Sequence, residues 1–204
     1  QIYQIIYGET LEQAVEGDTS GDYRDLLLAL LQCRRAENMI PDESGCQQDA
    51  AILYEAGEGR LGTNEDEFIR IFSTRSAADL VLINRYYKDQ VGKGLLGAIN
   101  AEFSGDTRVL LDTIIRAQID PANYFAERIH QSLYGVKSSN STLIRNIISR
   151  SEKDMPEIIK EYNNKYGTDL LRDVNSDIAE DYKRFLNAII LGYSGQVPKV
   201  NYSV

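Results

Sequence analysis

The feature that most constrains this chain is an internal repeat. FIRIFSTRSAADL at 68–80 lines up with LIRNIISRSEKDM at 143–155, 75 residues later. The offset then persists without gaps. Leu95-Leu96 falls on Leu170-Leu171, Ile99-Asn100 on Val174-Asn175, Glu102 on Asp177, Asp106 on Asp181 and Ile114-Ile115 on Ile189-Ile190. A partial third copy opens the chain, where YGETLEQAVEGDTSGDYRDLLLALL (7–31) matches YGTDLLRDVNSDIAEDYKRFLNAII (166–190). A fixed period of this length marks a stacked array in which each unit buries its apolar face on its neighbours. Leu and Ile recur at spacings of three and four, and the 204 residues include only 4 prolines, so the repeating unit is helical and the fold class is all-α.

Each whole repeat reads as five helices, at 46–57, 64–74, 76–89, 94–101 and 105–118, then at 121–134, 139–149, 151–164, 168–175 and 178–191. Residues 1–32 supply the last helices of a partial repeat, 33–46 a linker, 47–119 and 120–192 the whole repeats, and 193–204 an extended surface tail. Ser76 and Ser151 each precede an aspartate three residues on (Asp79, Asp154), an Asp variant of the capping box. Thr63 and Ser138 are the corresponding N-cap candidates before the second helices.

Charge narrows the function. Lys plus Arg total 22 against 31 Asp plus Glu, a net charge of −9. Such a chain lacks the basic footprint of a nucleic-acid binder and is repelled by anionic membranes unless something positive intervenes. No apolar run approaches the ~20 residues that span a bilayer, and QIYQIIYGETLEQ does not begin like a signal peptide. The chain reads as cytoplasmic. Two cysteines, Cys33 and Cys46, make no disulfide framework and are expected as free thiols. The single histidine, His130, has no nucleophile or recurring acid nearby, so it reads as a packed helix residue and the chain as no enzyme. Two Asn-x-Ser/Thr patterns, at Asn140 and Asn201, read as chance.

The chemistry concentrates in GEGRLGTNED at 57–66. Three glycines in six residues, directly before a helix, make a tight loop whose backbone carbonyls can face one side. Carbonyls and carboxylates are the ligands of a hard cation such as calcium, which takes six to eight oxygens. A short loop needs a remote carboxylate to complete that shell, and Glu102 is the candidate. Asp18 and Asp177 hold the same place in the other copies. Singly, such an acid is an N-cap and such a loop a turn; their joint recurrence favours metal binding.

DAAILYEAGEGRLGTNEDEFIRIFSTRS (49–76), YFAERIHQSLYG with STLIRNIISRSEKDM (124–155) and EGDTSGDYRDLLLALL (16–31) together resemble the annexins, calcium-dependent phospholipid-binding proteins. The resemblance runs from residue 1 to about residue 193. It implies an annexin-like array of five-helix repeats in a right-handed superhelix, with this chain corresponding to the end of repeat II and all of repeats III and IV. It also implies a calcium site made by the carbonyls of Gly57, Arg60 and Gly62 with a bidentate Glu102, and a membrane-contacting tip at Leu61. In the last repeat Leu133, Gly135 and Asp177 would form a site that is weak or lost, because Lys137 stands where the family has glycine and can pair with Asp177. Asp18 belongs to an incomplete site.

The expected function is therefore calcium-dependent, peripheral binding to anionic phospholipid surfaces. The alternative is a helical-repeat scaffold with reduced calcium binding that docks protein or cytoskeletal partners. Arg75, Arg145 and Arg150 read as ties to carbonyls or carboxylates between helices. The apolar residues Ile2, Ile5, Ile6, Leu26, Leu27, Leu30 and Leu31 of the partial copy are expected to form an exposed face through which the chain self-associates.

Overall fold

The structure, a computed structural model, describes residues 2–135, 139–177 and 180–193. All regular structure among these residues is helical. The chain divides into two compact units, Gln1–Ile119 and Asp120–Val204. The first holds α1 (Ile2–Tyr7), α2 (Leu11–Asp18), α3 (Gly21–Leu31), α4 (Glu43–Ala56), α5 (Glu65–Thr74), α6 (Ala77–Val91), α7 (Leu95–Glu102) and α8 (Gly105–Ile119). The second holds α9 (Pro121–Tyr134), α10 (Asn140–Arg150), α11 (Met155–Tyr166), α12 (Leu170–Asp177) and α13 (Glu180–Tyr193).

The 75-residue period is a packing period. Phe68 and Leu143, Phe72 and Ile147, Ile83 and Ile158, Tyr87 and Tyr162, Leu95 and Leu170, and Ile115 and Ile190 are buried at equivalent places in the two cores. Full burial of each such side chain is worth about 1.5–3 kcal/mol, so the shared stripe drives both units. The partial copy does not stand apart from the first of them. Its α3 packs on α5 and α8, and Leu26 is wholly buried in the same core, which removes it from the expected exposed face. Leu27, Leu30 and Leu31 are half-buried. Ile2, Ile5 and Ile6 are 75%, 83% and 64% exposed.

Several boundaries differ from expectation for identifiable reasons. Asp42 accepts a hydrogen bond from Gly45 N and starts α4 at Glu43, so Cys46 lies inside a helix rather than at the end of a linker. Cys46 is buried and Cys33 exposed, both as free thiols. The Ser76–Asp79 capping box forms as expected. The Ser151–Asp154 box does not. Pro156 lacks the N–H that a helix starting near 151 would require of it, and proline is tolerated only in the first turn. The helix therefore starts at Met155 with Pro156 inside its first turn, Ser151 Oγ donates to Ile148 O, and Arg150 grips Asp154 through both nitrogens at 2.8 and 2.5 Å. Before α10 the cap is Ser139, which accepts from Thr142 N; Ser138 lies outside the described residues, as does the chain from 194 onward.

Arginine ties organise the first unit. Arg75 Nε donates to the buried Asp49. Arg35 donates to Phe72 O and Arg75 O at 2.5 and 2.6 Å, closing the C-terminal end of α5. Arg145 is exposed. His130 stacks on Tyr166 at 3.7 Å.

The two serines give a direct test of the caps. Ser76→Ala should cost about 1 kcal/mol, the usual value of an N-cap, and Ser151→Ala clearly less, as read from urea unfolding midpoints.

Candidate metal centre

The site begins where α4 stops. Gly57 leaves helical geometry (φ −121°, ψ −99°) while its N–H still donates to Leu53 O and Tyr54 O at 3.2 Å. Gly59 N donates back to Tyr54 O at 2.8 Å, Arg60 N to Gly57 O at 3.1 Å, and Asn64 N to Ala56 O at 2.7 Å. These bonds close residues 57–63 into a compact loop. Gly62 sits at φ +80°, a left-handed conformation that is inexpensive only for glycine. The tip, Leu61, is 101% exposed. That is an unusual place for a leucine, since no packing holds it there.

Glu102 is the last residue of α7, and the core places it at the loop. The next residue, Phe103, is buried and meets Phe68 edge-on with ring centroids 5.0 Å apart. A Cβ added to Gly57 would lie 3.2 Å from Glu102 Cγ, 3.3 Å from its Cδ and 3.4 Å from Phe68 Cζ. Glycine at 57 is thus what lets the carboxylate approach the loop backbone. Thr63 Oγ1 donates to Glu102 Oε2 at 2.7 Å. Thr63 was expected to cap α5, but Asn64 occupies that cap position without a side-chain bond, and the threonine hydroxyl orients the carboxylate instead.

Among the described residues no three His, Cys, Asp or Glu side chains converge as a metal cluster. A cation here would be met by backbone carbonyls and one carboxylate, an all-oxygen set that suits a hard ion such as calcium. The arrangement fits that ion on two counts: the glycine leaves room beside the carboxylate, and the Thr63 hydroxyl fixes its orientation. The carbonyls of Gly57, Arg60 and Gly62 belong to the same loop, and the structure sets Glu102 against the space that a side chain at Gly57 would fill.

Sequence reasoning missed Glu58. Its Oε1 accepts from Tyr87 Oη at 3.1 Å and pairs with Lys93 Nζ at 2.9 Å. Burial, followed by the Glu58 and Glu102 carboxylates, pushes the Tyr87 phenol above its ordinary range. A glutamate in a glycine-rich loop has no pattern to betray it. The only available signal was the tyrosine at the same place in both repeats.

The other candidates lie at or near the ends of α2, α9 and α12. Asp18 closes α2 and is exposed. Leu133 is buried in the core of the second unit. Gly135 is the C-cap of α9 (φ −70°, ψ 159°), and an added Cβ would collide with Gln131 O. Asp177 closes α12. Val136, Lys137 and Ser138 lie outside the described residues, as does the side chain of Asp177, and with them the expected Lys137–Asp177 pair.

The annexin family model matches residues 1–30, 48–114 and 124–189. Annexin A11 from Homo sapiens is 37% identical over 190 residues, which are 93% of this chain and 38% of that protein. Annexin A5 from Bos taurus is 38% identical over 186 residues, 91% of this chain and 58% of that protein. Among solved structures, annexin III superposes with a TM-score of 0.86 at 37% identity, covering 92% of this chain and 58% of that one. A calcium-bound annexin (Sm)1 gives 0.81 at 29% identity, covering 93% and 57%. The chain thus spans between about two fifths and three fifths of the length of these relatives.

The role of Thr63 can be checked with an isosteric change. Thr63→Val should weaken calcium binding roughly tenfold, as loss of an outer-shell orienting group does, with the helical circular dichroism unchanged; calorimetric titration reads the first and a far-ultraviolet spectrum the second.

Proposed function

Because the chain belongs to the annexin family, we propose that it binds anionic phospholipid surfaces peripherally and only with calcium, through the loop at 57–63. The observation that carries this reading is the Glu102 carboxylate, set against Gly57 and held by the Thr63 hydroxyl. Gly57, Arg60 and Gly62 would contribute carbonyl oxygens and Glu102 both carboxylate oxygens. Bound there, calcium supplies the positive charge that joins an acidic protein to a headgroup phosphate. The chain's own residues do the rest. Glycines keep the loop backbone open, Glu102 provides the one fixed negative charge, and Leu61 offers an apolar side chain to the interfacial region.

The charge balance supports gating. With a net charge of −9, the chain is repelled by an anionic leaflet until the local sign reverses, so attachment is reversible. No helix among the described residues is long and apolar enough to cross a membrane. In the second unit we read the loop after Leu133 as weak or lost for calcium, because the sequence has Lys137 where the family has glycine. We place the protein at the cytoplasmic face of membranes, where the exposed Cys33 thiol would stay reduced.

One observation favours a second reading, a helical-repeat scaffold that docks protein partners, another copy included. It is the exposed apolar face of α1 formed by Ile2, Ile5 and Ile6.

Co-sedimentation with phosphatidylserine-containing vesicles separates the two. The membrane reading expects pelleting with calcium, none in EDTA, and none for Glu102→Gln; pelleting without calcium, or none at all, favours the scaffold. Leu61→Asp should weaken vesicle binding roughly tenfold or more, the equivalent of one leucine's burial at ~1.5 kcal/mol, while calcium binding in solution stays near that of the unaltered chain. Equal loss of both would mean that the loop itself had collapsed.

A further inference from the structure

Tyr87 and Tyr162 stand at the same place in the two whole repeats, and both are fully buried. A buried phenol must spend its hydroxyl on a partner, and each of these donates to a carboxylate. The carboxylates are not equivalent. In the first unit, Tyr87 Oη donates to Glu58 Oε1 at 3.1 Å, and Lys93 Nζ lies 2.9 Å from the same oxygen. In the second, Tyr162 Oη donates to Asp173 Oδ2 and Thr168 Oγ1 to Asp173 Oδ1, each at 2.9 Å.

Lys93 and Thr168 are also equivalent. Each follows directly on the left-handed glycine that ends its helix, Gly92 at φ +82° and Gly167 at φ +67°. The same two positions therefore close on a carboxylate in both repeats. In one repeat that carboxylate is in the loop, between Gly57 and Gly59; in the other it is inside α12 and ties down the turn before that helix.

We propose that Tyr87 and Lys93, acting through Glu58, are positioning residues that hold the 57–63 loop in its metal-binding shape before the ion arrives. This rests on reading that loop as a calcium site. We assign Glu58 a supporting role rather than a place in the ligand set, because the Tyr87 hydroxyl and the Lys93 ammonium both hold its Oε1. The Tyr87 ring is locked in the core, so its hydroxyl is a fixed point, and Lys93 supplies charge from the turn between α6 and α7. Together they anchor Glu58, which directly follows Gly57 and lies two residues before Arg60, two of the three carbonyl donors. A pre-set loop loses less freedom on binding than one that must order around the ion. The second unit devotes the equivalent hydroxyl to Asp173 and has no such anchor among its described residues.

The repeat provides its own control. Tyr87→Phe and Tyr162→Phe each delete one buried hydroxyl from equivalent sites, so both should lower thermal stability in EDTA to a similar degree. Calcium titration by calorimetry on the full chain should then separate them. Tyr87→Phe and Glu58→Ala should each raise the Kd of the site that Glu102→Gln removes by roughly tenfold, the usual cost of losing outer-shell support. Tyr162→Phe should leave that Kd unchanged, and Tyr87→Phe should add nothing in the Glu58→Ala background. Unaltered affinity in Glu58→Ala, or the same Kd in Tyr87→Phe and Tyr162→Phe, would overturn the proposal. If the unaltered chain shows no calcium binding that Glu102→Gln removes, the site reading fails instead.

Discussion

The burial of Phe68 is the constraint from which the first unit and its site both follow. Its ring meets Phe72 edge-on at 5.8 Å and Phe103 at 5.0 Å, and its Cζ lies within van der Waals reach of any side chain added at Gly57. One fully buried aromatic thus fixes three things: the stripe of α5, the turn that follows Glu102, and the point where α4 gives way to the loop. The carboxylate and the loop come from residues about 40 positions apart in the sequence, and neither could find the other without this shared core. In the second unit the equivalent position is Leu143, also buried, which fills its core without an aromatic pair of this kind. The two units share a plan of packing yet differ at the place where packing becomes chemistry.

Electrostatics then decides what such a site can do. The candidate centre offers one charged ligand and several neutral carbonyls, so it asks for a hard cation and leaves that ion incompletely neutralised. An incompletely neutralised cation on an acidic protein can attract an anion from outside. The linker between α3 and α4 handles its charges differently. There Asp79 is pushed up by burial, but hydrogen bonds from Ser76, Asp42 and Asn38 outweigh this and hold its carboxyl below the ordinary range. Those bonds pin the linker to the start of α6. One acid is saturated by donors and serves stability; Glu102 accepts a single hydrogen bond, from the Thr63 hydroxyl, and we read lone pairs on both its oxygens as available to an ion.

Much of this was legible in the residues themselves. The 75-residue offset carried the core stripe, the five-helix unit and the Ser76–Asp79 box, because each depends on local spacing that repeats. The expectations that missed depend on competition between signals. Pro156 overrode the serine–aspartate pattern at 151–154, since a missing N–H outweighs a favourable cap. Asp42 began α4 directly after Pro41 and carried Gly45 into the helix, inside the stretch whose Gly and Pro content suggested a linker through residue 46. Thr63 looked like a cap, and only tertiary structure could show its hydroxyl turned toward Glu102. Glu58 was invisible for the same reason: its meaning lies in Tyr87 and Lys93, some 30 residues away, and nothing in GEGRLG distinguishes a tethered glutamate from a solvated one. Leu26 was counted as exposed from its place in a partial copy, yet α5 and α8 cover it.

We read the two whole repeats as sharing a fold, with the 57–63 loop and Glu102 as the one built for calcium. The most direct measurement is a crystal structure of the chain grown in millimolar calcium, with the ions located by anomalous scattering. The expected result is an ion bound by the carbonyls of Gly57, Arg60 and Gly62 and by both carboxylate oxygens of Glu102, with no fully coordinated ion among Leu133, Gly135 and Asp177. An ion at the second place, or none at the first, would contradict it.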